Sequence, residues 1–341
     1  MHYRVTTMEE RKRILFAPLD WGLGHATRCI PLIHQELAAG NEVLLAATGR
    51  SAKLLEEAFP DLPVLDIPAY AVKYPHRGPF ELHFIRQMPR LLFVIAKERQ
   101  WLKHLLGKHH LDLVISDNRY GLTHPDVRCV MITHQLFPIV SGGLQPFVHR
   151  MIHRYLRRFD AIWIPDHAGD DNLSGQLSHG PCELPTEFLG PLSRFQGHAS
   201  DEPSVPGPDV LVLLSGPEPQ RTMLQEMLTS ILSDHPREVW MVNGKPGESG
   251  RPGPGQVFQF AHLHDEALAG AVRSARVIIC RSGYSTLMDL LALGRKGILV
   301  PTPGQSEQEY LASRFAMNSG WPVVKQRDLT SVLPGLLADE K

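Results

Sequence analysis

The 341-residue sequence predicts two doubly wound α/β domains facing a central cleft. Three observations carry this expectation. Short apolar strand-like runs alternate with helix-length segments in both halves. The alternation dissolves once, in a stretch rich in Gly, Pro, Ser and Asp, and then restarts. The chain is also long enough to favour two domains over one.

Taken in order, residues 13–18 read as a buried strand, and 26–39 as a helix ending at Gly40. Residues 42–47 give the next strand and 51–58 a short helix. A proline-spaced stretch from Pro60 to Pro79 precedes a long helix over 81–106. Strands follow at 112–116, 130–133 and 161–164, with a helix over 145–158. From about 165 to 208 the periodicity is lost, and HASDEPSVPGPD, 198–209, is the best linker. The pattern then resumes with strand 210–214, helix 219–232 and strand 238–242. After the flexible loop GKPGESGRPGPG, 244–255, come strand 276–280, helix 285–293, strand 297–300 and helix 307–318. This divides the chain into domains over 1–195 and 209–325, with a C-terminal helix or tail over 326–341. In sheets of this kind ligands bind beyond the carboxyl ends of the strands, so two facing domains place a cleft there.

Composition narrows the function classes. At 43% hydrophobic and 21% charged, with a formal net charge of −1, the chain is an ordinary globular protein without global attraction to nucleic acid. The cysteines at 29, 129, 182 and 280 are scattered and form no CxxC, which argues against a disulfide framework or zinc knuckle. The eighteen histidines show no metal-binding spacing, and Asp166-His167 with Asp170-Asp171-Asn172 reads as a surface turn. No metal and no cofactor are expected. The absence of an N-terminal apolar segment or a run of 18 apolar residues predicts a cytoplasmic protein. Helices 81–106 and 145–158 mix large apolar side chains with arginines and lysines. That pattern suits core helices with solvated basic faces. It equally suits peripheral contact with an anionic membrane at the inner face of the plasma membrane.

Two stretches carry chemistry. LDWGLGHATRCIPLIHQEL, 19–37, is a strand–glycine turn–helix without the Gly-Lys-Ser/Thr of a phosphate loop. Gly22-Leu23-Gly24-His25-Ala26-Thr27 has Thr27 where a dinucleotide fingerprint needs its third glycine, and His25 sits in the turn. An imidazole there suits a general base at neutral pH. Asp117, after strand 112–116, opens on the same cleft edge. In the second stretch, 279–321, Arg281-Ser282-Gly283 follows a strand and opens a helix from Ser285. Its small residues let backbone amides face a diphosphate. Asp289 lies one turn on, where a carboxylate accepts both hydroxyls of a ribose. A second turn leads to Gln308 and Glu309, placed to contact a sugar.

This second stretch resembles the C-terminal domain of glycosyltransferase family 28, which includes the N-acetylglucosaminyltransferase that forms lipid II. The family has Arg-Ser-Gly at a strand end, an acidic residue eight positions after the Arg, and a Gln-Gln pair after the next strand. Here these are Arg281-Ser282-Gly283, Asp289 and Gln308-Glu309, the second Gln being replaced. The turn Leu214-Ser215-Gly216-Pro217-Glu218 and the segment Gly190–Arg194 resemble the family's diphosphate turn and interdomain segment. His134-Gln135 is similar to its acceptor-side pair. The resemblance implies the GT-B architecture of two Rossmann-like domains, with the donor held by the second. It implies an inverting, metal-independent transfer from a UDP-sugar, UDP-N-acetylglucosamine favoured, to an unidentified hydroxyl acceptor, lipid-linked or in a cell-envelope glycan. Arg194, Ser215, Gly216, Arg281, Ser282, Gly283, Ser285, Asp289, Gln308 and Glu309 then fall on the donor. Gly22, Gly24, Asn118, Arg119, His134 and Gln135 fall on the acceptor, with Tyr120 beside them. His25 as base with Asp117 as its partner resembles the dyad of plant-type small-molecule glycosyltransferases, and Asp20 is the fallback base. A UDP-sugar 2-epimerase and a non-catalytic sugar-nucleotide-binding partner protein remain the alternative readings.

Overall fold

The computed structural model describes residues 11–70, 72, 80–140, 143–196, 207–216 and 218–339, and most of the linker stretch 198–209 lies outside them. The first domain begins β1 (Arg13–Pro18), α1 (Gly24–Ala38), β2 (Glu42–Ala47), α2 (Gly49–Ala58) and β3 (Val64–Asp66). It continues with α3 (Phe80–Leu106), β4 (Leu113–Asp117), β5 (Arg128–Ile132), α4 (Gln145–Leu156), β6 (Ala161–Ile164) and β7 (Thr186–Phe188). All seven strands are parallel, in the order β3-β2-β1-β4-β5-β6-β7.

Because side chains alternate along a strand, both faces must be covered. Ile14 and Phe16 of β1 pack with Ala26, Cys29, Ile30 and Ile33 of α1 and Leu54 and Leu55 of α2. Leu15 and Ala17 turn to the other face, against Leu102 and Leu105 of α3 and Leu156 of α4.

The second domain comprises β8 (Val210–Leu213), α5 (Gln220–Leu232), β9 (Val239–Val242), β10 (Arg251–Pro252), β11 (Val257–Phe260) and α6 (Asp265–Ser274). Then come β12 (Val277–Cys280), α7 (Tyr284–Ala292), β13 (Ile298–Leu299), α8 (Ser306–Ser319) and α9 (Leu329–Asp339). Its sheet runs β10-β11-β9-β8-β12-β13, parallel except for the short edge strand β10. Val210 and Val212 face α5 and α9, whose Leu329 and Leu333 are fully buried in that core. Leu211 and Ile278 face α6, α7 and α8.

In both sheets the order reverses between the first strand and the fourth long one, β1 against β4 and β8 against β12. These reversals open crevices at the carboxyl ends, and the loops that line the cleft leave from them. The turn after β1 is tighter than the sequence suggested: α1 starts at Gly24, so His25 lies in the first helical turn. Asp117 is the last residue of β4. No helix among the described residues is long and apolar enough to cross a membrane.

Candidate functional site

A cavity of about 460 Å³ lies between the two sets of carboxyl ends, and both domains line it. Its floor is the pair expected from the sequence. Nδ1 of His25 is 2.7 Å from Oδ1 of Asp117, and Asp117 is fully buried. An ionised carboxylate only accepts, so Nδ1 keeps its proton and donates to Asp117, which leaves Nε2 for a ligand. Arg28 Nη2, 3.0 Å from the same nitrogen, directs its own hydrogen bond to Asp117.

The sequence reading missed Arg28, one helical turn after His25 and 1% exposed. Its Nε and Nη2 fork onto both oxygens of Asp117. Burial raises the Asp117 carboxyl, but Arg28 and then His25 outweigh it and hold it below the ordinary carboxylate range. Asp117 is therefore an ionised, already neutralised anchor. The signal was present as the i, i+3 spacing of His25 and Arg28, which puts both on one helix face.

The third guanidinium nitrogen of Arg28 is 3.0 Å from Nδ1 of His134. A guanidinium only donates, so His134 accepts at Nδ1 and carries its proton on Nε2. That nitrogen is 2.8 Å from Oε1 of Glu307 in the first turn of α8, and Gln135 donates to Oε2 at 2.6 Å. Burial lowers the His134 pKa, in keeping with a neutral ring, and its face stacks on Tyr284 at 4.1 Å. Burial alone pushes Glu307 up, but His134 turns the balance and its carboxyl lies below the usual range. A buried hydrogen-bonded chain thus runs from Asp117 in the first domain to the α8 N-terminus in the second. Ser285 adds a second bridge, donating to the Gly24 carbonyl at 2.9 Å.

That contact sets the N-termini of α1 and α7 against each other. Neither helix has a side-chain cap or an acidic residue in its first turn. Two uncapped helix N-termini at one cavity are a strong electrostatic site for an anion. The α5 N-terminus is less available, because Glu218 already accepts from the Thr222 amide and hydroxyl and pairs with Arg221. Ser215 and Gly216 before it do line the cavity, Gly216 at φ +95°, while Pro217 lies outside the described residues.

Of the other expected donor residues, Gly283, Ser285, Asp289, Arg194 and Gln308 line the cavity. Asp289 accepts from Ser193 Oγ at 2.7 Å and pairs with Arg194 at 3.4 Å, and burial raises its carboxyl above the usual value. The cavity wall omits the other three. Arg281 is fully buried and donates to the carbonyls of Val300, Pro301 and Gln220, so it braces three segments instead of meeting a ligand. Ser282 donates to the Gln308 carbonyl. Glu309 caps the preceding loop by accepting from Gly304 N, and Glu307 takes the place on the wall. Two residues advance a helix by roughly 200°, so the two glutamates point to opposite sides.

On the acceptor side Gly22, Gly24, Asn118, His134 and Gln135 line the cavity, with Tyr120. Arg119 does not. It is fully buried against Glu98 at 2.9 Å and the carbonyls of Pro18 and Pro68, and Asp20 is 3.6 Å away. Asp166 is buried and its carboxylate accepts from the amides of His167, Leu173 and Ser174, while His167, Asp170 and Asp171 are exposed, as expected of a surface turn.

Residues 250–339 match the glycosyltransferase family 28 C-terminal domain. An uncharacterized glycosyltransferase of Methanosarcina acetivorans is 24% identical over 307 residues, covering 84% of this chain and 79% of the relative. A UDP-N-acetylglucosamine–N-acetylmuramyl-(pentapeptide) pyrophosphoryl-undecaprenol N-acetylglucosamine transferase of Rhizobium meliloti is 39% identical over 75 residues, 21% of this chain and 20% of that one. Among solved structures, CalG4, the calicheamicin glycosyltransferase, superposes with a TM-score of 0.60 at 15% identity, over 97% of this chain and 91% of its own. Fold, site and relatives together define a GT-B glycosyltransferase. Within its second domain, residues 250–339 are similar to the family 28 C-terminal domain.

Proposed function

We propose that the protein transfers a sugar from a UDP-sugar, with inversion and without a metal, to a hydroxyl acceptor. The observation that carries this is the His25–Asp117 contact at 2.7 Å in a cavity that also receives the bare N-termini of α1 and α7. In this reading His25 Nε2 takes the acceptor proton as the acceptor oxygen bonds to the anomeric carbon. The bond from that carbon to the diphosphate breaks, and its electron pair leaves with the phosphate oxygen. The ionised, Arg28-paired Asp117 fixes the imidazole tautomer and balances the imidazolium as it forms. Helix N-termini take up the charge of the leaving diphosphate, the term expected to matter most.

Asp289, positioned by Ser193 and Arg194, receives the ribose hydroxyls, and Glu307 stands near the sugar. UDP-N-acetylglucosamine is favoured because the Rhizobium relative named for that donor is 39% identical over 75 residues, and residues 250–339 match the family 28 C-terminal domain. Peripheral contact with an anionic membrane is supported by α3 and α4. They expose Phe93 (60%) and Phe147 (66%) beside the exposed Arg90, Lys97, Arg150 and Arg154.

Calorimetric titration with UDP, UDP-N-acetylglucosamine, UDP-glucose, a GDP-sugar and a TDP-sugar in EDTA tests the donor reading. One UDP-sugar should bind, and Asp289→Ala should weaken it. His25→Ala should leave binding intact and lower turnover by about 10²–10⁴-fold. Binding of none of them by folded protein sinks the donor assignment, and normal turnover by His25→Ala sinks the base.

A further inference from the structure

We propose that the acceptor is a neutral amphiphile with at least two hydroxyls on its head, whose apolar body lies between α3 and α4. The inference rests on the transferase reading above and adds the chemical class of the acceptor. Beyond His25 the cavity continues between these helices, where Met88, Leu91, Ile95, Val148, Met151 and Ile152 form its wall. This limb suits a hydrocarbon or other apolar body.

With the bare N-termini of α1 and α7 given over to the donor diphosphate, the charges on the rest of the wall argue against a phosphorylated head. Each described arginine there faces a carboxylate of the protein. Arg28 holds Asp117, Arg194 holds Asp265 and Asp289, Arg221 holds Glu218, and Arg50 lies 3.6 Å from Glu218. The basic residues Arg86, Arg90, Arg150 and Arg154 of the two helices are exposed and are not part of the wall. A phosphate drawn into this limb would lose its water and gain no unpaired cation, which is unfavourable. The limb therefore differs in kind from what a pyrophosphoryl-undecaprenol acceptor, named for the Rhizobium relative, would need.

Asn118 supplies the count of hydroxyls. It is 9% exposed, lines the cavity, and has a left-handed backbone at φ 54°. Its Oδ1 has no hydrogen-bond partner in the protein. A buried, unpartnered acceptor held by a strained backbone marks a ligand position. The reacting hydroxyl gives its only proton to His25, so Asn118 Oδ1 needs another donor. Because Asn118 follows β4 on the first-domain wall and is not among the donor-side residues of the second domain, that donor is assigned to a second hydroxyl on the acceptor head.

The test is calorimetric titration of the full chain with UDP alone, and then, with UDP saturating the helix N-termini, with 1,2-dodecanediol, 1-dodecanol and dodecyl phosphate below their aggregation concentrations. The diol should bind, the monoalcohol more weakly, and dodecyl phosphate at least tenfold more weakly than the diol. Met151→Asp should weaken the diol at least tenfold with UDP affinity unchanged, and Met88→Asp on the opposite wall should do the same. Asn118→Gly, which keeps the backbone conformation, should erase the preference for diol over monoalcohol. Dodecyl phosphate binding as tightly as the diol overturns the proposal, as does failure of all three amphiphiles in a sample that binds UDP. Binding of the diol as described by a protein that ignores UDP leaves this inference standing and removes the donor reading instead.

Discussion

Arg28 buries a full positive charge at 1% exposure beside three titratable side chains, His25, Asp117 and His134. Removing one member of a buried pair costs far more than the pair contributes, about 3–5 kcal/mol, because the remaining charge loses its main compensation. Arg28→Met should lower stability by about that much in urea unfolding, and Arg28→Met with Asp117→Asn should recover part of it. The pH dependence separates this from simple loss of packing. In the wild type Asp117 has a depressed pKa, so its stabilisation is complete above the unfolded value near 3.9 and is lost as pH falls through the lower folded value. Without Arg28, burial dominates and the sign reverses: the folded carboxyl is raised, and its destabilisation is greatest at neutral pH. The deficit of Arg28→Met should therefore shrink as the pH is lowered from 7 to 5. A deficit constant over that range would show that burial does not raise the Asp117 carboxyl into it once Arg28 is gone, the His25 contact sufficing to hold it ionised.

At the scale of elements, the turn after β12 depends on Arg281. Its guanidinium joins the Val300 and Pro301 carbonyls after β13 to the Gln220 carbonyl at the start of α5, and burial lowers its pKa to about 10. Arg281→Met leaves three carbonyls without this donor, at about 1–3 kcal/mol for each group that stays dry. Urea unfolding should show a loss of several kcal/mol, and UDP should bind more weakly although Arg281 is not on the cavity wall. Unchanged stability would refute the brace. This residue also shows where the sequence is legible and where it is not. The strands 13–18, 42–47, 161–164 and 210–213 are apolar runs between clear breakers, and the rule that loops leave carboxyl ends brought His25 and Asp117 together before any coordinates. Three-residue edge strands such as Val64–Asp66 and Thr186–Phe188 lack length for a pattern, and Asp265–Ser274 is too rich in small residues to show a face. Arg119 reads as an acceptor-pocket residue and Arg281 as a donor-site residue because each adjoins a motif, and only tertiary structure supplies the carbonyls and the Glu98 carboxylate that engage them. The choice between Glu307 and Glu309 turns on helix phase, which an error of one residue in the start shifts by roughly 100°.

In the molecule as a whole the two domains meet at the site through Ser285 to Gly24, His134 and Gln135 to Glu307, and Ser306 to the Ile139 carbonyl at 2.6 Å, and beside it Tyr284 donates to the Pro165 carbonyl and Arg314 to the Leu173 and Asn172 carbonyls. The first of these opposes the positive ends of α1 and α7, so closure without an anion works against their mutual repulsion. A diphosphate between them reverses that sign and should favour the closed arrangement, since a ligand shifts an equilibrium by its differential affinity for the two states. Gly24 makes the approach feasible, because a Cβ there would lie 2.6 Å from Ser285 Oγ and 3.0 Å from its Cβ. Gly24→Val should therefore keep the cleft apart while leaving the second domain's nucleotide contacts in place. In small-angle scattering, UDP should reduce the wild-type radius of gyration and leave that of Gly24→Val unchanged. Calorimetry should still detect UDP binding to the variant, and transfer should fall by about 10²-fold, the scale of an ångström of misplacement. If Gly24→Val compacts with UDP as the wild type does, the α1–α7 contact is not what limits closure, and the coupling must run through the other interdomain contacts, such as His134 to Glu307.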